Sequence, residues 1–143
     1  MLVRDVTTRR PVTIGVEDSV EDARQMMKFE DLFCLLVMDR NNHLAGVVTE
    51  LEMAKASPSP VTTLDRFEIP ALLSRIRVEQ IMERDFVTID ENASLQEAAQ
   101  VLVDRKANVL PVMRGNEVIG VLTESDLIQS LREMLDAYDK RAA

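Results

Sequence analysis

The chain has 143 residues, which fits one domain or two small ones and excludes a large multidomain enzyme. Its 17 Lys and Arg against 25 Asp and Glu give a formal charge of −8, which disfavours nucleic acid and anionic membranes as partners. No run reaches the roughly 18 apolar residues of a membrane span, the start does not resemble a signal peptide, and a single cysteine, Cys34, cannot form an internal disulfide. We therefore expect a cytoplasmic protein.

The first 56 residues have the pattern β-α-β-β-α. Val12-Thr13-Ile14 predicts a short strand, and Ser19-x-x-Asp22 has the capping-box pattern that begins a helix. A nearly continuous apolar run, Cys34 to Met38, suits a buried strand. After a polar turn, a second apolar strand covers Leu44 to Val48, and Thr49-x-x-Glu52 begins the closing helix.

Residues 57–77 look like a connector. Ser57-Pro58-Ser59-Pro60 ends the preceding helix, because proline cannot continue it. The segment Leu64 to Ile76 is apolar enough to pack as an ordered connector, with helical spacing around Pro70. Its apolar members are Phe67, Ile69, Leu72, Leu73 and Ile76.

The second half repeats the first at a shift of about 75 residues. Val87-Thr88-Ile89 repeats the first strand, and Ser94-x-x-Glu97 repeats the helix start. Gly46-Val47-Val48-Thr49-Glu50 recurs as Gly120-Val121-Leu122-Thr123-Glu124. The chain is therefore predicted to be of the α/β (α+β) class, with two tandem β-α-β-β-α repeats packed as one pseudo-twofold body. The predicted boundaries are 1–56, 57–77 for the connector, and 78–143.

These paired motifs resemble the cystathionine-β-synthase (CBS) domain, whose tandem pairs are called Bateman modules. The resemblance covers about residues 3–54 and 78–135, and the connector sequence from Arg66 to Leu73 is similar to that of acetoin-utilisation-type bacterial CBS proteins. It implies a regulatory module that binds AMP, ADP, ATP or S-adenosylmethionine between the repeats and passes the signal to a protein partner. It also implies a homodimer, and no catalytic residue or required cofactor.

The resemblance implies one ligand site built around Asp126, the carboxylate that would accept both ribose hydroxyls, and Thr123 beside the ribose and phosphate. Backbone groups of Val12 and Phe33 would read the adenine edge, and Arg9 and Arg10 are the nearest cations for a phosphate. The full set for this first site is Thr7, Arg10, Pro11, Val12, Leu32, Phe33, Val121, Thr123, Ser125 and Asp126.

A second, weaker site is implied around Thr49, where Glu52 replaces the family's Asp. The extra methylene moves the carboxylate by about an ångström, enough to spoil a bidentate ribose contact in a preorganised site. Lys106 is the nearest cation for a phosphate there. The full set for this second site is Met82, Asp85, Phe86, Val87, Ala107, Asn108, Val47, Thr49 and Glu52.

The candidate site residues, and the single cysteine and histidine, also have purely structural explanations. Thr123-x-x-Asp126 is a capping box, and helix caps are far commoner than ribose sites. Surface arginines and lysines are usually solvated. Cys34 packs as a small hydrophobe, and His43 belongs to a solvated turn. No resident metal is expected, and magnesium would need the help of ligand phosphates and water.

Several functions remain open. A ligand-independent dimerisation scaffold is the alternative to nucleotide sensing, and the amphipathic segment Leu127 to Leu135 is either a dimer face or buried within the pair. An enzyme is disfavoured, because the sequence has no P-loop, nucleophile elbow or His-rich pattern. Single-stranded nucleic acid binding is disfavoured by the net charge and by an aromatic content of 3%.

Overall fold

A computed structural model describes residues 1–7, 10–58 and 67–142. The predicted elements occur in the predicted order, together with a short helix at Val3–Val6 and a 3₁₀ turn at Val78–Gln80 that the sequence did not predict. In chain order they are α1 (Val3–Val6), β1 (Thr13–Gly15), α2 (Val20–Phe29), β2 (Cys34–Met38), β3 (Leu44–Thr49), α3 (Glu50–Ala56), α4 (Glu68–Leu73), β4 (Ile89–Asp90), α5 (Leu95–Arg105), β5 (Val109–Arg114), β6 (Glu117–Thr123) and α6 (Glu124–Ala142). Both β-α-β-β-α patterns predicted from the sequence are confirmed.

The chain forms two compact units, which we call the first-repeat unit and the second-repeat unit. The first-repeat unit is Val12–Phe86, and the second-repeat unit combines Met1–Pro11 with Val87–Ala143. The two units are defined by which residues pack together, whereas the predicted boundaries are defined by where the sequence repeats. The two divisions differ because the segment before each repeat packs on the other repeat's unit.

The first-repeat unit is built on a three-stranded sheet in the order β1-β2-β3. β1 runs parallel to β2, and β2 runs antiparallel to β3 with Cys34 opposite Thr49. The central strand β2 places Leu35, Leu36 and Val37 at 0% exposure, as its continuous apolar run predicts. Helices α2 and α4 contribute Ala23, Met27 and Leu73 to the same core.

The second-repeat unit repeats this arrangement as β4-β5-β6. Its first strand is shorter, with two residues against three in β1. A proline in the central strand β5 accounts for the shorter β4. Leu36 donates its N–H to the carbonyl of Val12 at 3.1 Å, while the equivalent Pro111 has no N–H to donate to Val87.

The long helices begin where the sequence predicts. The Ser19 hydroxyl accepts the N–H of Asp22 at 3.0 Å, and the Ser94 hydroxyl accepts the N–H of Glu97 at 3.1 Å. Each bond satisfies a backbone amide that the first helical turn leaves without a partner. α2 and α5 therefore start at equivalent positions and bury equivalent faces against their sheets.

Two short segments dock in equivalent ways on the two units. Val3 donates its N–H to the carbonyl of Ala93, and Val78 donates its N–H to the carbonyl of Asp18, both at 2.8 Å. Val3 and Val78 are each 0% exposed. The N-terminal residues therefore complete the core of the second-repeat unit, and the residues after the connector complete the core of the first-repeat unit.

The connector is only partly described, because Ser59 to Arg66 lie outside the described residues. In the remainder, Leu73 is fully buried in the first-repeat unit and Ile69 and Ile76 pack against the same core. The expectation that the other apolar residues pack there was wrong for Phe67, which is 74% exposed, and for Leu72, which is 40% exposed. Leu72 lies on the outer side of the short helix α4, and Phe67 is the residue just before that helix.

Candidate functional site

The junction between β6 and α6 carries a reciprocal pair of hydrogen bonds. Thr123 donates its N–H to Oδ2 of Asp126 at 2.9 Å, and Asp126 donates its N–H to Oγ1 of Thr123 at 3.1 Å. Thr123 is 5% exposed, while Asp126 is half-buried. This is the capping box that the sequence predicts as the plainer explanation of these two residues.

The equivalent junction between β3 and α3 is bonded differently. Oε2 of Glu52 accepts the N–H of Thr49 at 2.8 Å and also accepts the Thr49 hydroxyl in a short bond. The Thr49 hydroxyl oxygen in turn accepts the N–H of Leu51 at 3.2 Å. The longer glutamate side chain reaches both Thr49 donors, so a single carboxylate oxygen receives two bonds.

This difference changes what each carboxylate can still accept. A carboxylate oxygen has two lone pairs, and a vicinal diol is best held with one hydroxyl on each oxygen. Within the described parts of the chain, Asp126 receives one bond from a side chain or amide, which leaves acceptor capacity on both oxygens. Glu52 has both acceptor positions of Oε2 occupied by Thr49. Of these two carboxylates, Asp126 is the one that keeps an acceptor position on each oxygen.

A backbone bond links each junction to the residue before the central strand. Phe33 accepts the N–H of Glu50 at 3.2 Å, and Asn108 accepts the N–H of Glu124 at 3.2 Å. Phe33 is half-buried and Asn108 is exposed. Within each unit, Phe33 therefore lies beside the Thr49–Glu52 box and Asn108 lies beside the Thr123–Asp126 box.

Met82 and Glu83 lie beside the outer edge of β3 in the first-repeat unit. Glu83 pairs with Val47 through two backbone bonds of 2.8 and 3.0 Å, and Glu83 also accepts the N–H of Asp85 at 2.7 Å. Met82 packs so close to Gly46 that a Cβ at that glycine would lie 2.6 Å from its sulfur. Val47 and Met82 of the second predicted site are thus neighbours, and the half-buried Phe86 follows.

The N-terminal members of the first predicted site lie in the second-repeat unit. Thr7 donates its hydroxyl to the carbonyl of Val3 at 2.8 Å, which fixes the end of α1. Arg10 is exposed, Pro11 is half-buried, and Arg9 lies outside the described residues. Arg10 is therefore the one predicted phosphate partner of this site for which a position is described.

The residues that precede the sheets are held by local backbone bonds. Leu32 donates its N–H to the carbonyl of Met27 at 2.9 Å, and Ala107 donates to Leu102 at 3.2 Å. Lys106, in front of Ala107, has a left-handed backbone with φ of +50° and ends α5. It is exposed and caps the helix C-terminus, a role that the sequence reasoning missed because lysine rarely adopts this conformation.

Each predicted site divides between the two units. In the first site, Val12, Leu32 and Phe33 belong to the first-repeat unit, and the other members, including the half-buried Val121 and the exposed Ser125, belong to the second-repeat unit. In the second site, Val87, Ala107 and Asn108 belong to the second-repeat unit, and its remaining members belong to the first-repeat unit. Within a unit, the described contacts bring together Thr49 with Glu52 and Thr123 with Asp126, and they place Met82 against Gly46, the neighbour of Val47.

The described residues 1–7, 10–58 and 67–142 contain no group of three or more His, Cys, Asp or Glu side chains placed to hold a metal ion. Over the same residues, no helix combines the length and apolar character that crossing a membrane requires.

Two β-α-β-β-α units of equivalent topology, each ending in a capped Thr-x-x-acid junction, define a tandem-repeat α/β protein. The family model of the CBS domain matches residues 3–59 and 78–133. The chain therefore belongs to the CBS domain family, as a tandem pair.

The relatives that match along most of this chain include the following two. An uncharacterized protein of Methanocaldococcus jannaschii is 28% identical over 137 residues, which cover 92% of this chain and 32% of that protein. A CBS domain-containing protein of Dictyostelium discoideum is 26% identical over 95% of this chain and 94% of its own length. The chain thus spans about a third of the first relative and nearly all of the second.

The solved structures that share the fold include the following three. A putative acetoin utilization protein from Vibrio cholerae is 24% identical, with a TM-score of 0.76 over 98% of this chain and 96% of its own. A CBS domain pair in complex with 5′-methylthioadenosine and S-adenosyl-L-methionine is 21% identical, with a TM-score of 0.76 over 94% and 98%. CBSX2 in complex with AMP is 24% identical, with a TM-score of 0.73 over 93% and 97%.

Proposed function

We propose that this chain is a non-catalytic regulatory module that binds an adenosine-containing small molecule. The candidate ligands are AMP, ADP, ATP and S-adenosylmethionine. The observation that carries the proposal is the Thr123–Asp126 pair, in which both oxygens of a half-buried carboxylate keep acceptor capacity. Two proteins of the same fold have been crystallised with adenosine-containing ligands, which favours this ligand class over others.

In this proposal the Asp126 carboxylate accepts the 2′ and 3′ hydroxyls of the ribose, one on each oxygen. Thr123 already uses its Oγ1 as an acceptor for the Asp126 N–H, so its own hydroxyl proton can be donated to the ligand. The amides of Glu124 and Asp126 at the start of the 19-residue helix α6 are already bonded, so an anionic group nearby is favoured by the helix dipole and by the N–H of Ser125 between them. Arg10 is the proposed cation for a phosphate, and any magnesium would be held through that phosphate and water.

We propose that the two sites are unequal and that the Asp126 site is the functional one. At the other junction, a diol could use both oxygens of Glu52 only by displacing the Thr49 hydroxyl from Oε2. That displacement would break a bond that also stabilises the start of α3. The expected stoichiometry is therefore one nucleotide per chain at moderate ligand concentration.

Isothermal titration calorimetry with AMP, ATP and S-adenosylmethionine tests this function. We compare the wild-type chain with Asp126→Asn, which keeps an oxygen for the Thr123 N–H but loses the charge and one strong acceptor. Glu52→Gln is the matched control at the equivalent position of the other repeat. The proposal expects Asp126→Asn to weaken binding at least tenfold and Glu52→Gln to leave it unchanged. No heat at millimolar ligand, or equal affinity in Asp126→Asn, would overturn it.

A ligand-independent dimerisation scaffold is the second candidate. The observation that favours it is the exposed apolar side of α6, where Ile128, Leu131 and Leu135 are each more than half exposed. A scaffold requires no ligand, so its melting temperature would not depend on nucleotide. A nucleotide-dependent rise in melting temperature that Asp126→Asn abolishes would reject this candidate in favour of the first. In either case the output is proposed to pass to a separate protein partner.

A further inference from the structure

Residues 1–7 are docked against the rest of the second-repeat unit, and we call them the N-terminal arm. Main-chain hydrogen bonds join the arm to the turn between β4 and α5. They run from the Val3 N–H to the Ala93 carbonyl at 2.8 Å, from the Arg4 N–H to the Glu91 carbonyl at 2.9 Å, and from the Leu95 N–H to the Met1 carbonyl at 3.1 Å. The Arg4 side chain also donates to Oδ1 of Asn92 in this turn, at 3.0 Å. The arm is therefore held along its backbone.

Helix α1, within the arm, is stabilised by bonds at its two ends and by the core. It has four residues, which is too short to be stable alone. At its start, Oδ2 of Asp5 accepts the N–H of Leu2 at 2.8 Å. At its end, Thr7 donates both its N–H and its hydroxyl to the Val3 carbonyl, at 3.1 and 2.8 Å. Val3 is 0% exposed in the core of the second-repeat unit, so docking of the arm fixes the position of Thr7.

Arg10, the proposed cation for a phosphate, lies three residues after Thr7. A span of three residues cannot exceed about 11 Å, so the two Cα atoms stay within that distance of each other. Arg10 is exposed, so its own side chain does not anchor it in the core. Its place is set through the backbone, and among the described residues Thr7 is the nearest one before it. Docking of the arm therefore limits where the Arg10 guanidinium can reach.

The first-repeat unit has an equivalent docked segment that leads to the opposite charge. The N–H of Val78 donates to a turn carbonyl at 2.8 Å, as the N–H of the arm's buried valine does. Oε1 of Gln80 accepts an N–H three residues earlier, as Oδ2 of Asp5 does in α1. At the shift of 75 residues, however, the position of Arg10 is taken by the exposed Asp85. The two segments dock alike but are followed by a cation in one case and an anion in the other.

An arginine in this position distinguishes ligands by charge. A guanidinium binds a phosphate through two parallel N–H···O bonds, which depend on its exact placement. Adenosine has the same base and ribose as AMP but no phosphate for Arg10 to bind. A displacement of about an ångström is enough to weaken such a contact strongly. Docking of the arm should therefore matter for the phosphate and not for the ribose, which is assigned to Asp126.

We propose that the N-terminal arm is a positioning element for Arg10, and that its docking sets how tightly the Asp126 site binds the phosphate of a nucleotide. The inference rests on the proposed function and adds a preference to it, for AMP, ADP and ATP over adenosine. Val3 and Asp5 are positioning residues, since they act through Arg10 and do not touch the ligand. Coupling between two equilibria is reciprocal, so a bound nucleotide must also hold the arm more firmly.

Calorimetry with AMP and adenosine tests the proposal on two matched pairs of variants. Val3→Ala and Val78→Ala remove the same groups from equivalent buried sites, and Asp5→Ala and Gln80→Ala remove equivalent caps. Wild-type protein is expected to bind AMP about 30-fold more tightly than adenosine. Val3→Ala should lower this ratio about tenfold and Asp5→Ala about threefold, because the docked fraction falls. Val78→Ala and Gln80→Ala should keep the wild-type ratio, and circular dichroism checks that all four variants fold.

Two further measurements show whether the effect passes through Arg10 and through the arm. Arg10→Gln should bind AMP and adenosine with similar affinity, and adding Val3→Ala to it should leave their ratio unchanged. Hydrogen exchange provides a readout that does not depend on affinity. AMP should slow exchange in residues 1–7 several-fold more than adenosine does, and should leave residues 76–82 unchanged.

The outcomes separate this inference from the proposed function. A wild-type ratio in Val3→Ala, a further change of ratio in the double variant, or exchange in residues 1–7 that AMP does not slow overturns the role of the arm. Equal wild-type affinity for AMP and adenosine overturns it as well, because Arg10 then binds no phosphate. In each of these cases adenosine still binds and the proposed function stands. A wild-type chain that binds neither compound overturns both.

Discussion

Thr123 and Asp126 hold each other in place at the junction between β6 and α6, each donating its N–H to the other's side chain, at 2.9 and 3.1 Å. The same two side chains that begin the helix are the ones proposed to meet a ribose. A cap and a ligand contact are compatible here because the cap occupies a single acceptor position of the carboxylate.

The first prediction separates the two roles of Asp126. Asp126→Ala removes the carboxylate half of the capping box and should lower the free energy of unfolding by about 1 kcal/mol, while Asp126→Asn should retain most of that stability. Both variants should lose nucleotide binding. Urea denaturation measures the first effect and calorimetry the second. If Asp126→Asn is close to wild type in both its free energy of unfolding and its nucleotide affinity, Asp126 acts only as a cap.

The second prediction concerns Glu52. Glu52→Asp shortens the side chain to that of Asp126, so the Thr49 hydroxyl should be released from the carboxylate and both oxygens should become available. The number of nucleotides bound per chain should rise from one to two, as measured by calorimetry. The reciprocal change Asp126→Glu should reduce it toward zero. An unchanged stoichiometry in Glu52→Asp would mean that something other than side-chain length closes this site.

The third prediction concerns the docked segments. Val3→Ala and Val78→Ala each remove two methyl groups from a fully buried site and should each lower the free energy of unfolding by about 2 kcal/mol. The neighbouring exposed substitution Arg75→Ala is the control. Equal losses in urea denaturation would show that the N-terminal residues matter as much to their unit as the post-connector residues do to theirs. A Val3→Ala variant as stable as wild type would contradict this.

The fourth prediction is a pH dependence. The hydrogen bond from Arg24 holds the pKa of Glu21 below its ordinary value, against a smaller opposing effect of burial. A lowered pKa in the folded state adds stability above the ordinary glutamate range and loses it as the pH falls through the lowered value. Arg24→Gln should therefore be less stable than wild type at pH 7 by about 0.5 kcal/mol, the size of a surface pair on one helix.

That difference should shrink as the pH falls through the lowered pKa of Glu21, because protonation removes the charge that Arg24 stabilises. Thermal melts at pH 7 and pH 3 make the comparison. Lys28→Gln removes a cation from the same helix and serves as control, because the described residues show no ion pair for Lys28. A stability difference that persists unchanged at pH 3 would mean that Arg24 acts by packing and not through its charge.

Much of the fold could be predicted because the signals are local and occur twice. The run Cys34 to Met38 predicts β2 to the residue, and Ser19 and Ser94 predict the starts of α2 and α5. Apolar periodicity did not show which side of a short helix faces a core. Phe67 and Leu72 lie on the same short segment as the buried Leu73, yet both are exposed.

The candidate site was predicted less completely than the fold. The sequence marks Thr49, Glu52, Thr123 and Asp126, because their spacing is that of a helix cap. It does not show that one Glu52 oxygen takes both Thr49 donors while Asp126 Oδ2 takes only the Thr123 amide. That depends on where a side chain of a given length ends in space.

By itself, the sequence determined the repeat, the strand and helix order, the caps and the family, because each is encoded by residue types at short, fixed spacings. Only the tertiary structure decided that Val3 belongs to the core of the second-repeat unit and Val78 to the core of the first-repeat unit, and that Leu131 and Leu135 remain uncovered. Burial is a property of what surrounds a side chain. Those surroundings come from residues far away along the chain, which no local pattern records.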